Sequence, residues 1–221
     1  MLPKLSDWQR SAEDCFGKEP GLHGLYWIGS LAHGGFSERF SDIDVVLLYK
    51  TLPPARSVEE KIAAWKTGLP EGERWSIFWS DSNLISGRMP TPDRIDLLDN
   101  GKLFYGEGAA FGARPSLDEL RAYLRNTSIP YWRELAHAPP AIDEEKRLVR
   151  LALYPARFAF SWNTGRVVSN EEAVGAVLPG WPLDRKLLGA ALRARSLGHT
   201  RGIDLPLPAI QRQLEEVFRR V

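Results

Sequence analysis

The sequence is poor in the residues that carry many common chemistries. One cysteine, Cys15, stands in 221 residues, which excludes an internal disulfide framework and any cysteine-based zinc site. The four histidines, His23, His33, His137 and His199, show no metal-ligand spacing, and no G-x-S-x-G elbow pairs a serine with them. No apolar run reaches the roughly 20 residues needed to span a bilayer. The opening MLPKLSDWQRSAEDCF has no basic stretch followed by an apolar one, so it does not read as a signal peptide. These absences lead us to expect a cytoplasmic protein without a membrane partner.

What is present is an ordinary globular composition, 43% hydrophobic and 26% charged, long enough to bury a substantial core. Formal net charge is +1, unevenly spread. Through Gly112 there are 12 basic and 16 acidic side chains, a net of −4, and from Ala113 onward 17 and 12, a net of +5. Fifteen of the later 17 are arginines. That balance suits phosphates but falls short of the basic stripe of a nucleic-acid binder, so no nucleic-acid partner is expected.

Periodicity divides the chain. In the first half, Leu25–Ile28, the run DVVLLY at Asp44–Tyr49 and WSIFW at Trp75–Trp79 read as strands. Val58–Thr67 has helical spacing, Ser82–Pro92 reads as a loop, and Pro92 suits the first turn of a helix over Asp93–Leu98. In the second half, Ser116 with Glu119 three residues on is a capping box opening a helix over Leu117–Arg125. Glu144–Asn163, interrupted only by Pro155, Asn170–Leu178, Asp184–Leu197 and Gln211–Arg220 are further helices. The expected architecture is an α/β (α+β) module over 1–112, then a helical module over 113–221.

The informative stretch is a strand ending in Gly29-Ser30, a polar Gly-containing connection, and Ser41-Asp42-Ile43-Asp44 leading into the next strand. Residues i and i+2 of a strand share a face, so Asp42 and Asp44 project together while Ile43 enters the core. Two carboxylates that close repel each other unless a divalent cation sits between them. Oxygen ligands in this arrangement suit Mg²⁺, which keeps waters and takes further ligands from a substrate's phosphates. Gly29-Ser30 lets backbone N–H groups and a hydroxyl approach a phosphate. Phosphoryl and nucleotidyl transfer require little beyond such positioning and charge neutralisation.

The segment GSLAHGGFSERFSDIDVVLL resembles the Gly-Ser…Asp-x-Asp signature of the DNA polymerase β-like nucleotidyltransferase superfamily. FSWNTGRVVSNEEAVGAVLP, followed by LLGAALRARSLG, is similar to the C-terminal helical domain of aminoglycoside adenylyltransferases. The resemblance implies a mixed sheet with flanking helices followed by a helical bundle. It also implies transfer of a nucleoside monophosphate, AMP from Mg-ATP, to a hydroxyl of a small molecule, with Gly29 and Ser30 touching the triphosphate and Asp42 and Asp44 holding Mg²⁺ as catalytic ligands. Two departures stand out. Transferring members add a third carboxylate from a neighbouring strand, where Trp75–Trp79 offers Ser76; Glu73 and Asp81 flank that strand, and Asp96 reads as a solvent-facing helix position. Asn170 stands where the helical domain commonly has a lysine, a place Arg157 or Arg166 would fill. Trp132, Trp162 and Trp181 read first as core and second as lining for an acceptor. The +5 helical half argues against a polycationic acceptor. The alternative function is a nucleotide-binding regulatory or antitoxin-like protein, without catalysis or acting on a protein partner.

Overall fold

An antiparallel pair of strands, rich in β-branched and aromatic residues, organises the first half of the chain. The computed structural model describes residues 5–69, 72–140, 143–176 and 178–221. Two compact units emerge, Met1–Gly34 with Ser41–Arg114, and Gly35–Phe40 with Pro115–Val221. Among the described residues no helix is long and apolar enough to cross a membrane.

The first unit is a mixed sheet. Strands β1 (Leu22–Trp27), β2 (Ile43–Tyr49), β3 (Trp75–Asp81), β4 (Gly87–Arg88) and β5 (Lys102–Gly106) lie in the order β4-β3-β2-β1-β5. Among the described residues, β2 and β3 pair in parallel and the other neighbours are antiparallel. Between them come helices α1 (Leu5–Phe16), α2 (Ser30–His33), α3 (Ala55–Gly68) and α4 (Thr91–Asn100). Every residue of β2 except Asp44 is buried, as a central strand covered on both faces requires.

The alternation of β1 to β3 sorts the core. Trp75, 2% exposed, meets Trp8 of α1 edge-on at 5.7 Å and Trp65 of α3 at 4.9 Å. Phe16 adds an edge contact to Trp65 at 5.2 Å. These large rings at T-shaped separations fix α1 and α3 on one face. The opposite face is a cluster of Tyr26, Ile28, Val46, Leu48, Leu84, Met89 and Leu97, the last from α4.

The second unit is helical: α5 (Leu117–Tyr123), α6 (Ile129–His137), α7 (Glu144–Thr164), α8 (Asn170–Gly175), α9 (Arg185–Leu197) and α10 (Leu207–Phe218). The capping box forms as its spacing predicts, Glu119 N–H donating to Ser116 Oγ and Ser116 N–H to Glu119 Oε2. The helix then widens through a π turn, Leu124–Ser128, into α6. Pro130, which lacks the N–H that an unbroken ladder needs, explains where the register slips. Pro155, by contrast, does not break α7, which runs through it. One turn earlier the carbonyl of Ala152 accepts from the buried Gln213 amide at 3.4 Å, tying α10 to α7. The expected helix Asn170–Leu178 stops at Gly175, and Val177 lies outside the described residues.

Residues 35–40 belong to this helical unit although they fall between α2 and β2. Arg195 donates to Gly35 O at 2.6 Å, Ser37 Oγ donates to Arg195 O at 3.2 Å, and Arg39 Nη2 donates to Asp143 Oδ1 at 2.8 Å.

Candidate functional site

The hairpin register brings the two motifs together. Trp27 pairs with Val45, and Ile28 N–H continues the ladder by donating to Asp44 O at 3.1 Å. The chain leaving β1 at Gly29 therefore lies beside the chain entering β2 at Asp42–Asp44. Ile43 is buried, while Asp42 and Asp44 are half-buried, the alternation that a strand start imposes.

Gly29 is the pivot. Its φ of 63° and ψ of −151° lie in a region that essentially only glycine occupies. A Cβ built there would sit 2.3 Å from Asp44 Oδ2, so the Asp44 carboxylate occupies the space a side chain would need. One turn of helix, α2, follows: Ala32 and His33 N–H donate to Gly29 O at 2.9 and 3.0 Å, and Gly34 N–H to Ser30 O at 3.1 Å. The amides of Ser30 and Leu31, first in that turn, have no acceptor within it.

Asp96 is not solvent-facing. The helix expected after Pro92 forms as α4, but Asp96 is 3% exposed, buried between Ile95 and Leu97. Its Oδ2 accepts the Gly29 N–H at 2.6 Å and its Oδ1 accepts Asn100 Nδ2 at 2.8 Å. A carboxylate tolerates such burial when it is hydrogen-bonded. The Gly29 amide is thus taken by the protein itself. Of the two partners of Asp96, Asn100 is one helical turn away, while Gly29 lies 67 residues away, and no local pattern signals it.

The remaining acids are distributed as follows. Ser76 is the parallel-register neighbour of Asp44, on the same face. Asp81 pairs with Tyr49, five residues along the strand, or about 16 Å, and its Oδ1 accepts from Ile85 and Ser86 N–H in the turn to β4. Glu73 lies exposed in the 3₁₀ turn Gly72–Arg74. Among the described residues, no group of three or more His, Cys, Asp or Glu side chains has metal-binding geometry. Arg74, which the sequence did not single out, donates to Ser41 O at 2.9 Å and sets a guanidinium one residue from Asp42. His33 Nδ1 lies 3.1 Å from Gly34 O.

In the helical unit, Arg166 is exposed and 3.7 Å from Glu172, and Arg157 is half-buried on α7. Trp132 stacks on Tyr154 at 3.9 Å, while Trp162 and Trp181 flank Phe158 at 5.8 and 6.2 Å. The three tryptophans pack into one aromatic cluster, and all three are half-buried.

No family model matches the chain, and no curated protein does. Among solved structures, the spectinomycin adenyltransferase AAD(9) from Enterococcus faecialis, crystallised with ATP and spectinomycin, aligns with a TM-score of 0.66 at 15% identity over 98% of this chain and 97% of its own. The toxin–antitoxin MntA-HpeT mutant aligns with a TM-score of 0.33 at 15% identity, over 60% of this chain and 90% of that one. The five-stranded mixed sheet with flanking helices, followed by a helical part, is a fold shared with AAD(9) along nearly the whole chain.

Proposed function

We propose that this chain is a cytoplasmic nucleotidyltransferase that moves a nucleoside monophosphate, AMP from Mg-ATP, to a hydroxyl group of a small molecule. One observation carries the reading: the β1–β2 register sets Gly29 against the Asp44 carboxylate, with a helical turn opening at Ser30. The fold likeness to an adenyltransferase crystallised with ATP and spectinomycin supports both a nucleotide donor and a small-molecule acceptor.

The donor set fits Mg²⁺. Asp42 and Asp44 are two half-buried carboxylates at one strand start, and the space beside Gly29 that a Cβ would fill is taken by Asp44 oxygen. Two protein carboxylates, joined by no third among the described residues, suit an ion that completes its shell from phosphates and water. When bound, Mg²⁺ neutralises charge on the triphosphate. Ser30 donates to the phosphates through its N–H and hydroxyl. In the transfer, the acceptor oxygen bonds to the α-phosphorus, the bond to the β-phosphate oxygen breaks, pyrophosphate leaves with that electron pair, and the hydroxyl proton passes to solvent. The net +5 charge of the helical half favours a neutral or anionic acceptor over a polycationic one.

A second reading, a nucleotide-binding regulatory or antitoxin-like protein, draws on Ser76: the strand position beside Asp44 holds a hydroxyl where a base or third ligand would be a carboxylate. Incubation with α-labelled ATP and a panel of neutral, anionic and cationic polyols separates the two. Label transfer to any acceptor with pyrophosphate release supports the enzyme. Tight Mg²⁺-dependent binding with no transfer supports the regulatory protein.

A further inference from the structure

The Asp96 carboxylate is the most deeply buried acid around Gly29, and neither the metal nor the reacting groups account for it. It sits on α4 between two core residues, Ile95 and Leu97, which are 0% and 2% exposed, so its own helix holds it immobile. Both of its oxygens are committed, one to the Gly29 amide at 2.6 Å and one to Asn100 Nδ2 at 2.8 Å. The first is a charge-assisted bond of short length. On its other side Gly29 meets the Asp44 carboxylate.

We propose that Asp96 is a positioning residue for the triphosphate, acting through Gly29. Resting on the nucleotidyltransferase reading, this assigns to Asp96 the orientation of the backbone rather than a place in the metal shell. Pinning the Gly29 N–H fixes the peptide plane entering Gly29 and helps hold its unusual φ of 63°. That in turn fixes the direction of the next amide, that of Ser30, beside the Asp44 carboxylate, where Ser30 would meet a phosphate. Asn100 performs the same service one step back, orienting Asp96 from the next turn of α4. Each Asp96 oxygen already accepts one hydrogen bond, Oδ2 from Gly29 N–H and Oδ1 from Asn100 Nδ2, so Asp96 serves as the latch and the metal shell is left to Asp42 and Asp44.

The test uses the full chain and the variants Asp96→Asn, Asp96→Ala, Asn100→Ala and Asp44→Asn. Two readouts are taken: the amide proton resonance of Gly29 by NMR without nucleotide, and Mg-ATP affinity by calorimetry. Asparagine keeps one acceptor for the Gly29 N–H, and Asn100 can turn its amide to match. Asp96→Asn should therefore shift the Gly29 amide upfield yet keep ATP affinity within about threefold, the loss of charge assistance on one hydrogen bond. Asp96→Ala should weaken ATP tenfold or more while remaining folded. Asn100→Ala, which leaves the Gly29 bond in place, should weaken ATP by about two- to fivefold and serves as the measure if the alanine variant at 96 does not fold. Asp96→Asn as damaging to ATP binding as Asp44→Asn would overturn the proposal in favour of a metal ligand. Wild-type ATP affinity in folded Asp96→Ala, or in Asn100→Ala when the former does not fold, would overturn it as well. Should the wild type bind no triphosphate, the proposed function fails and this role with it. A Gly29 amide resonance that moves in Asp96→Asn would then show that the latch exists but serves the fold alone.

Discussion

Asp44 and Ser76 are side-by-side neighbours in the parallel register of β2 and β3, their side chains on one face of the sheet. In the proposed function, the serine occupies the position from which a third carboxylate would reach a metal bound at Asp42 and Asp44. Restoring an acid there, Ser76→Asp, should tighten Mn²⁺ binding in the presence of ATP, because a third oxygen ligand replaces a water on a hard cation. Electron paramagnetic resonance of free Mn²⁺ reads this directly. Unchanged Mn²⁺ affinity would place the metal elsewhere.

Gly29→Ala tests the close approach at the pivot. Alanine must take up a positive φ that costs about 1–3 kcal/mol, and its methyl must displace the Asp44 carboxylate, whose Oδ2 would lie 2.3 Å from Cβ. The expected outcome is a lower midpoint in urea denaturation together with the loss of Mg-ATP binding. Retention of both would mean that the carboxylate does not sit against Gly29.

Arg147 tests how the helical unit is held. Its guanidinium, 3% exposed, donates to the carbonyls of Leu135 and Ala138 at 2.8 and 3.2 Å and pairs with Glu144 at 2.6 Å. It thus satisfies the carbonyls at the end of α6 from within α7. Arg147→Ala strips that donor from two carbonyls at the end of α6 and from Glu144, and should cost about 1–3 kcal/mol, read as a fall in denaturation midpoint.

Asp143 supplies a pH signature. Its hydrogen bonds from Arg39, with the Lys146 backbone N–H and the nearby positive charges adding to them, hold its pKa below the ordinary aspartate value against the opposing effect of burial. A carboxylate whose folded pKa is depressed adds stability above its unfolded pKa, about 3.9, and loses it as pH falls through the lower folded value. Asp143→Asn retains the capping acceptor at the start of α7 and removes the charge. The variant should be less stable than wild type at pH 7, the gap closing as pH drops below about 4. A gap independent of pH would refute the ion pair's contribution.

The legible parts of the fold were those whose evidence is local. DVVLLY declared a buried strand because both of its faces are covered, and Ser116 with Glu119 announced a helix start because the two reciprocal bonds span only three residues. Strand β5 escaped notice because Lys102–Gly106 is an edge strand with no buried residue, so it carries no apolar alternation. Helix α1 was also missed, although Trp8, Ala12 and Phe16 mark a stripe at every fourth residue. At the site, the Gly-Ser and Asp-x-Asp motifs were visible as short strings. The environment that fixes them was not, since Asp96 meets Gly29 and Arg74 meets Ser41 across long sequence separations. Asp96 departs from the expectation for a physical reason: a charged residue on a helix ordinarily faces water, and its burial becomes tolerable through two donors, Asn100 nearby and the distant Gly29.

The most direct test of the account is equilibrium binding of ATP, with GTP, CTP and UTP alongside, with and without Mg²⁺, to the wild type and to Asp42→Asn/Asp44→Asn. The account predicts Mg²⁺-dependent triphosphate binding by the wild type, lost in the folded double variant. Binding of no nucleotide by a folded wild type, or binding that survives the double substitution, would contradict it.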